Sequence, residues 1–379
     1  MRYLFAGGGT GGHIYPALSI AQALQELDSN AEIVFIGSKR GLEKKIIPQH
    51  GFELKYLDIQ AFQRKLSFDT LRTIYKAGVA VFSAAKIIAE FRPDVVIGTG
   101  GYVSGPPVLA AQLRKIPTVI QEQNALPGAT TRVLVKQANL VLVGYAIAKE
   151  KLNTLVRNPE KVKHLGNPIR LDILKTTREE GCRRLGLDPK KFTILVFGAS
   201  QGSRAINNTI LSLWPRLVGI DDWQILWQTG ENQFDLIRAQ LPPEFNEVEP
   251  QVIQLGNLQV RPYIHQMSAA LAVSDIVVSR AGAISLAEIT AKGIPSILIP
   301  LPTAAENHQE HNARALEKIG AARVILENNL TPELLLAELI SLTGDEQCRK
   351  AMANASRGAG KPLAATEIAT EIIRLAAKS

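Results

Sequence analysis

Two stretches of this chain, 191 residues apart, carry the same device: an apolar run, a turn rich in glycine and small polar residues, then a helix-forming segment. The first is YLFAGGGTGG at residues 3–12 and the second is ILVFGASQGS at residues 194–203. A strand that passes through a glycine turn straight into a helix opens a βαβ unit. Its return half a chain later constrains the fold to two similar α/β halves. Short apolar, often β-branched runs predict strands at Tyr3–Ala6, Ile33–Ile36, Val95–Gly98, Thr118–Gln121 and Leu140–Val143. In the second half they fall at Thr193–Phe197, Gln224–Trp227, Val252–Leu255, Ile276–Ser279 and Ser296–Ile299. Runs apolar on both faces suit parallel strands covered by helices on both sides. Helices are predicted between them, among others at Pro16–Leu27, Gly105–Arg114 and Ala281–Lys292. The fold class is therefore α/β, with two Rossmann-like doubly wound parallel sheets. Gly-Asn-Pro within LGNPIRLDIL (165–174) marks the linker, which puts the domains at 1–167 and 168–361. The tail, 362–379, is expected to form a helix that packs back on the first domain.

A chain of 379 residues, 46% hydrophobic and 21% charged, suits two soluble cores. Its two cysteines, Cys182 and Cys348, form no CxxC and imply neither a disulfide framework nor a cysteine metal site. The chain enters a strand at once, so no signal peptide is expected, and no run reaches 18 apolar residues. The net charge of +8 is uneven: residues 1–169 hold 21 Lys and Arg against 12 Asp and Glu, residues 170–379 hold 22 against 23. A basic first half attracts an anionic membrane, an anionic substrate or a nucleic acid.

The glycine loops narrow the ligand. Gly7 to Gly12 satisfies G-x-G-x-x-G after a strand and before a helix, a signal weak by itself. An NAD enzyme would prefer an acidic residue after the second strand, where Ser38-Lys39-Arg40 stands instead, a sequence that tolerates NADP. A second loop, GTGGYVSGP (98–106), brings Gly100, Gly101, Tyr102 and Ser104 into the same half and widens the floor. In the other half Ser200, Gln201 and Gly202 offer neutral donors for a diphosphate at a helix N-terminus. SRAGAISLAE (279–288) is a further strand–turn–helix junction, with Glu288 able to accept both hydroxyls of a ribose. These features describe a nucleoside diphosphate held mainly by the C-terminal half.

The ordered motifs GGTGGH, GGYVSGP, QEQN, GNPIR, GASQGS, SRAGA and HQEHNA resemble the MurG family, whose members transfer N-acetylglucosamine from UDP-N-acetylglucosamine (UDP-GlcNAc) to lipid I. The resemblance runs along essentially the whole chain. It implies a GT-B fold with two domains facing a cleft, inverting chemistry, and a product, lipid II, used in peptidoglycan synthesis. It also implies a peripheral enzyme on the cytoplasmic face of the bacterial plasma membrane, partnered by an anionic membrane surface and no nucleic acid. Three positions depart from the usual pattern: Ala199 for glycine, Gln121 for histidine, and His308 for the first glutamine of a pair.

Inverting transfer needs a base for the acceptor hydroxyl and stabilisation of departing UDP. His13, with an ordinary pKa of about 6.5, is the expected base and Glu122 the alternative. Thr10, Gly11 and Gly12 are expected at the acceptor. Arg170 and the 198–203 loop are expected at the diphosphate. By resemblance Ile264 lends its backbone to uracil, and Asn124, Ala283, His308 and Gln309 read the sugar hydroxyls. Arg280, Ile284, Ser285, Leu286 and Ala287 complete the donor set. The chain has no Asp-x-Asp, so no cofactor or essential divalent metal is expected, although His308 and His311 lie beside Glu306 and Glu310. The competing readings are a related glycolipid synthase, an NADP-dependent oxidoreductase and a non-catalytic sugar-nucleotide module.

In the segment 61–91, Phe62, Leu66, Phe68, Leu71, Ile74 and Tyr75 alternate with Arg64, Lys65, Arg72 and Lys76, as in an interfacial membrane patch.

Overall fold

A computed structural model describes every residue except Arg40, residues 58–69, Ala199, Ser200 and Ser379; for residues 70–77 it describes the backbone. The chain forms two compact units, Met1–Ile169 with Pro362–Ser379, and Arg170–Lys361. The division falls two residues after the expected one.

The first unit holds strands β1 (Arg2–Gly7), β2 (Glu32–Ser38), β3 (Glu53–Leu57), β4 (Val95–Gly100), β5 (Thr118–Glu122), β6 (Leu140–Val143) and β7 (Val162–His164). All are parallel, in the order β3-β2-β1-β4-β5-β6-β7. Alternate residues leave opposite faces of the sheet. Tyr3, Phe5, Ile97, Val119 and Leu142 pack on one side, against Ile14, Leu18 and Leu24 of the helix Gly11–Leu27. Leu4, Val34, Ile36, Val96, Ile120 and Val141 pack on the other, against Ala84 and Ile88 of the helix Thr70–Phe91. The tail forms the helix Ala364–Ala376, whose Ile368 and Ile372 are fully buried in the first of these clusters. Truncating either to alanine removes about 2–5 kcal/mol, so the tail is part of this core.

The second unit holds β8 (Phe192–Phe197), β9 (Trp223–Gln228), β10 (Asn246–Glu249), β11 (Val252–Leu255), β12 (Leu258–Arg261), β13 (Ile276–Ser279), β14 (Ser296–Leu298) and β15 (Ala322–Val324). Their order is β10-β11-β12-β9-β8-β13-β14-β15. Only the β10–β11–β12 edge is antiparallel. Its core gathers Ile194, Val196, Ile225, Trp227, Ile276 and Val278 with Ile206, Ile210 and Leu213 of the helix Arg204–Leu217.

Among the parallel strands of each sheet the chain order reverses once, between β1 and β4 in the first and between β8 and β13 in the second. Crevices outside the carboxyl ends of such strands are where open α/β sheets bind ligands. The loops that leave those four strand ends are the four glycine-bearing loops of the sequence.

Candidate functional site

In the first unit the helix after β1 begins at Gly11, five residues before the predicted start at Pro16. Proline is favoured in a first turn, which drew the prediction to residue 16. Here Pro16 is the sixth helical residue, and its missing N–H removes the usual donor for the Gly12 carbonyl. His13 thus stands on the first helical turn rather than at the end of a loop. Thr10, at the N-cap, makes no side-chain cap bond; the His13 N–H donates to the Thr10 carbonyl at 3.1 Å, which leaves the Gly11 and Gly12 N–H groups and the positive dipole end at the helix start.

The His13 ring lies on Gly100, where a Cβ would come within 2.7 Å of Nδ1. Nδ1 is 3.1 Å from the Thr99 carbonyl and 3.1 Å from Gln123 Oε1. Two acceptors facing one nitrogen assign the proton to Nδ1 and make Nε2 the basic nitrogen. The Thr99 hydroxyl donates back to the His13 carbonyl at 3.0 Å, which ties the helix start to β4.

Glu122, the alternative base, is 4% exposed. Its Oε1 accepts from the Asn124 N–H (3.1 Å) and Nδ2 (3.4 Å), its Oε2 from the Gly128 N–H (3.0 Å) and the Thr131 hydroxyl (2.6 Å). Four donors converge on this carboxylate, so it organises the loop that carries the half-buried Asn124. In the second loop, Gly101 has a φ of +76°, and a Cβ there would meet the Gly8 carbonyl at 2.4 Å. The Tyr102 ring packs on Gly9, and its hydroxyl donates to Ser38 Oγ at 3.3 Å. Ser104, expected on the acceptor side, is instead buried with its hydroxyl on the Gly101 carbonyl.

One residue that sequence reasoning missed is Glu43, which is fully buried. Its Oε2 accepts the Gly9 N–H at 2.9 Å, and its Oε1 accepts the Ser38 N–H at 2.8 Å and hydroxyl at 2.7 Å. The Ser38 hydroxyl is thus already in use, and so is the Gly9 N–H.

In the second unit Ser200 lies outside the described residues. Gly202 has a φ of +74°, and a Cβ there would fall 1.9 Å from the Thr229 carbonyl. Gln201 is exposed, its Oε1 accepting from Asn232 Nδ2 at 3.2 Å. Ser203 caps the helix Arg204–Leu217 through the Ile206 N–H. The helix Ala283–Lys292 starts two residues later than predicted, with Gly282 at its N-cap and no side-chain cap. Ala283 is buried at that first turn, and Ile284, Ser285 and Ala287 are half-buried.

Two of the expected donor-site side chains turn inward. The Arg280 guanidinium donates to the carbonyls of Ile299 and Pro300 and pairs with Glu327, and Leu286 is 1% exposed. A guanidinium so engaged anchors the loop after β14. Arg170 and Glu288, expected at different parts of the nucleotide, pair with each other at 3.1 Å. Burial pushes the Glu288 carboxyl above its ordinary range, and the Arg170 guanidinium partly offsets that. Gln309 Oε1 accepts from the N–H groups of Ala281 (3.2 Å) and Leu301 (3.1 Å), which joins the loops after β13 and β14. His308 Nδ1 lies 2.7 Å from the Ala305 carbonyl, directly after Glu306 and Asn307, both at left-handed φ. Ile264 gives its N–H to Gln228 Oε1 at 3.0 Å, so its N–H is not available to a ligand. Among the described residues no group of three His, Cys, Asp or Glu is placed to hold a metal ion.

Two doubly wound α/β units whose switch-point loops carry glycines and helix starts have the fold of GT-B nucleotide-sugar enzymes. Residues 3–143 match the glycosyltransferase family 28 N-terminal domain and residues 193–368 the family 28 C-terminal domain. The chain belongs to glycosyltransferase family 28 and, within it, to the MurG family.

It is 46% identical, over 97% of its length and 98% of the relative's, to the UDP-N-acetylglucosamine–N-acetylmuramyl-(pentapeptide) pyrophosphoryl-undecaprenol N-acetylglucosamine transferase of Thermoanaerobacter sp. (strain X514). It is 40% identical to the protein of the same description from Clostridioides difficile (strain 630), over 99% of this chain and 89% of that one. The crystal structure of Acinetobacter baumannii MurG superposes with a TM-score of 0.75 at 28% identity, covering 98% of this chain and 99% of that one. UDP-GlcNAc 2-epimerase from Neisseria meningitidis shares the fold, with a TM-score of 0.69 at 16% identity over 99% of this chain and 100% of that one. Membership in a glycosyltransferase family displaces the oxidoreductase reading and the non-catalytic one.

Proposed function

We propose that this chain transfers N-acetylglucosamine from UDP-GlcNAc to the C4 hydroxyl of the N-acetylmuramoyl-pentapeptide of lipid I, with inversion, giving lipid II. The observation that carries the mechanism is the pair of acceptors on His13 Nδ1, which makes Nε2 the basic nitrogen. Nε2 takes the proton as the acceptor hydroxyl attacks the anomeric carbon from the face opposite UDP. The uncapped helix start at Thr10–Gly12 receives the acceptor's pyrophosphate, with Gly100, Gly101 and Tyr102 as its floor. Glu122 acts through Asn124 by holding its loop, and Asn124 meets the transferred sugar.

The departing diphosphate is stabilised by the donors of Ser200, Gln201 and Gly202, by Arg170, and by the N-terminus of the Ala283–Lys292 helix, with Ala283, Ile284 and Ser285 at its first turn. Glu288 accepts from the ribose hydroxyls, the Ile264 carbonyl meets uracil, and His308 with the Gln309 amide nitrogen reads the sugar. These groups supply the charge stabilisation that a divalent metal gives elsewhere, so the reaction is proposed to run without one.

The enzyme acts on the cytoplasmic face of the membrane as a peripheral protein. No helix among the described residues is long and apolar enough to cross a bilayer. Val79 and Phe82, 46% and 63% exposed on the helix Thr70–Phe91, support contact with anionic lipid, with Lys86 lying over the Phe82 ring. The apolar and basic residues from Phe62 to Phe68 lie outside the described residues, and Leu71, Arg72, Ile74, Tyr75 and Lys76 are described by backbone alone.

The deciding experiment is transfer of labelled N-acetylglucosamine from UDP-GlcNAc to a lipid I analogue in EDTA. Product supports donor, acceptor and metal independence together. Product only after magnesium is restored refutes the metal-free mechanism. No product in either condition refutes the substrate assignment.

A further inference from the structure

We propose that Gln123 is the positioning residue that fixes the tautomer of His13, and that Gln121 and Asn167 lock Gln123 in the orientation this requires. The inference rests on the reading of His13 as the base. Gln123 is 2% exposed, Gln121 1% and Asn167 4%. The Gln123 amide nitrogen donates to the Thr99 carbonyl at 2.7 Å, to the Gln121 carbonyl at 3.2 Å and to Gln121 Oε1. Flipping that amide would set its oxygen against three other oxygens and strand a buried –NH2 beside a ring N–H. The Gln123 oxygen is thereby committed to His13 Nδ1.

Gln121 cannot flip either. Its Nε2 donates to Asn167 Oδ1 at 3.1 Å, and Asn167 Nδ2 donates to the Gln123 carbonyl at 2.9 Å. The three amides close a ring whose polarity has one consistent direction. The group behind the base in a Ser-His-Asp triad is a carboxylate, which orients the imidazole and also stabilises its charged form. Here the group is a neutral amide. It orients the ring and holds the proton on Nδ1 without adding a negative charge, so the base releases its proton readily after each turnover.

The test uses the full-length protein and Gln123→Met, which keeps the volume and removes both polar ends. Thr99 still accepts from Nδ1, so the expected fall in kcat is about ten- to a hundredfold rather than the full 10²–10⁴ of a lost base. The affinity for UDP stays within about twofold, because its proposed contacts lie in the other unit. Nitrogen-15 NMR of labelled histidine, assigned with His13→Ala, reads the tautomer without any substrate. The wild type is expected to show Nδ1–H above its titration, and Gln123→Met a mixture. Gln121→Met, which leaves the His13 contact in place but unlocks it, is expected to move both readouts the same way by a smaller amount.

A folded Gln123→Met with wild-type kcat and an unmixed Nδ1–H signal overturns the proposal, even if its melting temperature falls. If Gln123→Met does not fold, the same two readouts on Gln121→Met decide. If the wild type transfers no sugar, the base reading has failed, and the NMR tautomer alone still decides what Gln123 does.

Discussion

Replacing Glu43 by glutamine keeps the shape of the side chain and changes one oxygen into a donor. In the wild type that carboxylate accepts three hydrogen bonds at 2.7 to 2.9 Å, all inside the fold. A glutamine can keep its oxygen on the Ser38 N–H and hydroxyl, but its –NH2 then faces the Gly9 N–H, donor against donor. One charge-assisted bond of about 1.5–3 kcal/mol is lost, and the other two weaken towards neutral strength. The lower cost of burying a neutral group offsets part of this. The net loss is about 2–4 kcal/mol, placed on the glycine loop. For a unit of this size each kcal/mol moves the melting temperature by about 2–4 °C, so the transition of the first unit is expected to fall by about 5–15 °C. Calorimetry reads that shift. Hydrogen exchange reads where it arises: the peptide spanning residues 7–12 should exchange faster, and peptides of the second unit should not change. An unchanged melting temperature, or exchange that rises evenly over the first unit, would refute the idea that this carboxylate holds the loop.

Gly12→Ala is expected to leave the melting temperature unchanged or slightly raised, because a Cβ there meets nothing nearer than Thr10 Oγ1 at 3.7 Å. It should raise the acceptor KM severalfold in steady-state kinetics. Gly8→Ala should do the reverse, destabilising the fold in a thermal melt, since its Cβ would press within 2.6 Å of the Glu43 carboxyl. Glu288→Gln is expected to weaken UDP binding by calorimetry while making the second unit more heat-stable than wild type at alkaline pH. A carboxyl whose folded pKa is raised by burial contributes stability at low pH that is lost as pH rises through that value. The variant's advantage should therefore shrink on acidification and level off below about pH 4, the ordinary carboxyl range. Phe82→Ser is expected to lower binding to vesicles containing an anionic lipid, measured by cosedimentation, without changing the melting temperature.

What could be read in the sequence was the part written in apolar runs. Every central strand, from β1 and β4 to β8 and β13, is a continuous buried segment and was visible as one. The strands that went unread carry no such run. β3 mixes exposed, half-buried and buried residues at a sheet edge, β7 and β15 are three residues long, β10, Asn-Glu-Val-Glu, is exposed throughout, and β12, Leu-Gln-Val-Arg, is buried but interrupted by polar residues. They exist because a neighbouring strand offers a ladder, which is tertiary information. His13, Asn124 and Glu288 were legible because each stands beside a glycine-bearing or ordered motif. Glu43 and Gln123 were not. Glu43 reads as an ordinary charge in a basic stretch, Ser-Lys-Arg-Gly-Leu-Glu-Lys-Lys, and only the fold brings it beneath a loop 34 residues away. Gln123 stood inside a quoted motif, yet its meaning depends on a histidine 110 residues earlier.

The glycine loop shows how one letter can hide two causes. Read from the sequence, five glycines between residues 7 and 12, with one threonine among them, say that a ligand comes close to the backbone. The structure divides them. Gly8 is bare because the Glu43 carboxyl packs against it, and Gly101, in the facing loop, because the Gly8 carbonyl lies against it. Gly100 is bare because the His13 ring rests there. These glycines let two loops, a buried carboxylate and an imidazole interlock within one unit. Gly12, exposed on the helix start with open space around it, has no internal neighbour that requires it to be glycine. It is therefore the position where the proposed acceptor, and not the fold, would require a bare backbone. The paired substitutions at Gly8 and Gly12 separate the two causes. If both lower stability and leave acceptor KM alone, the loop is bare for the fold's sake only, and the acceptor's pyrophosphate must be held elsewhere.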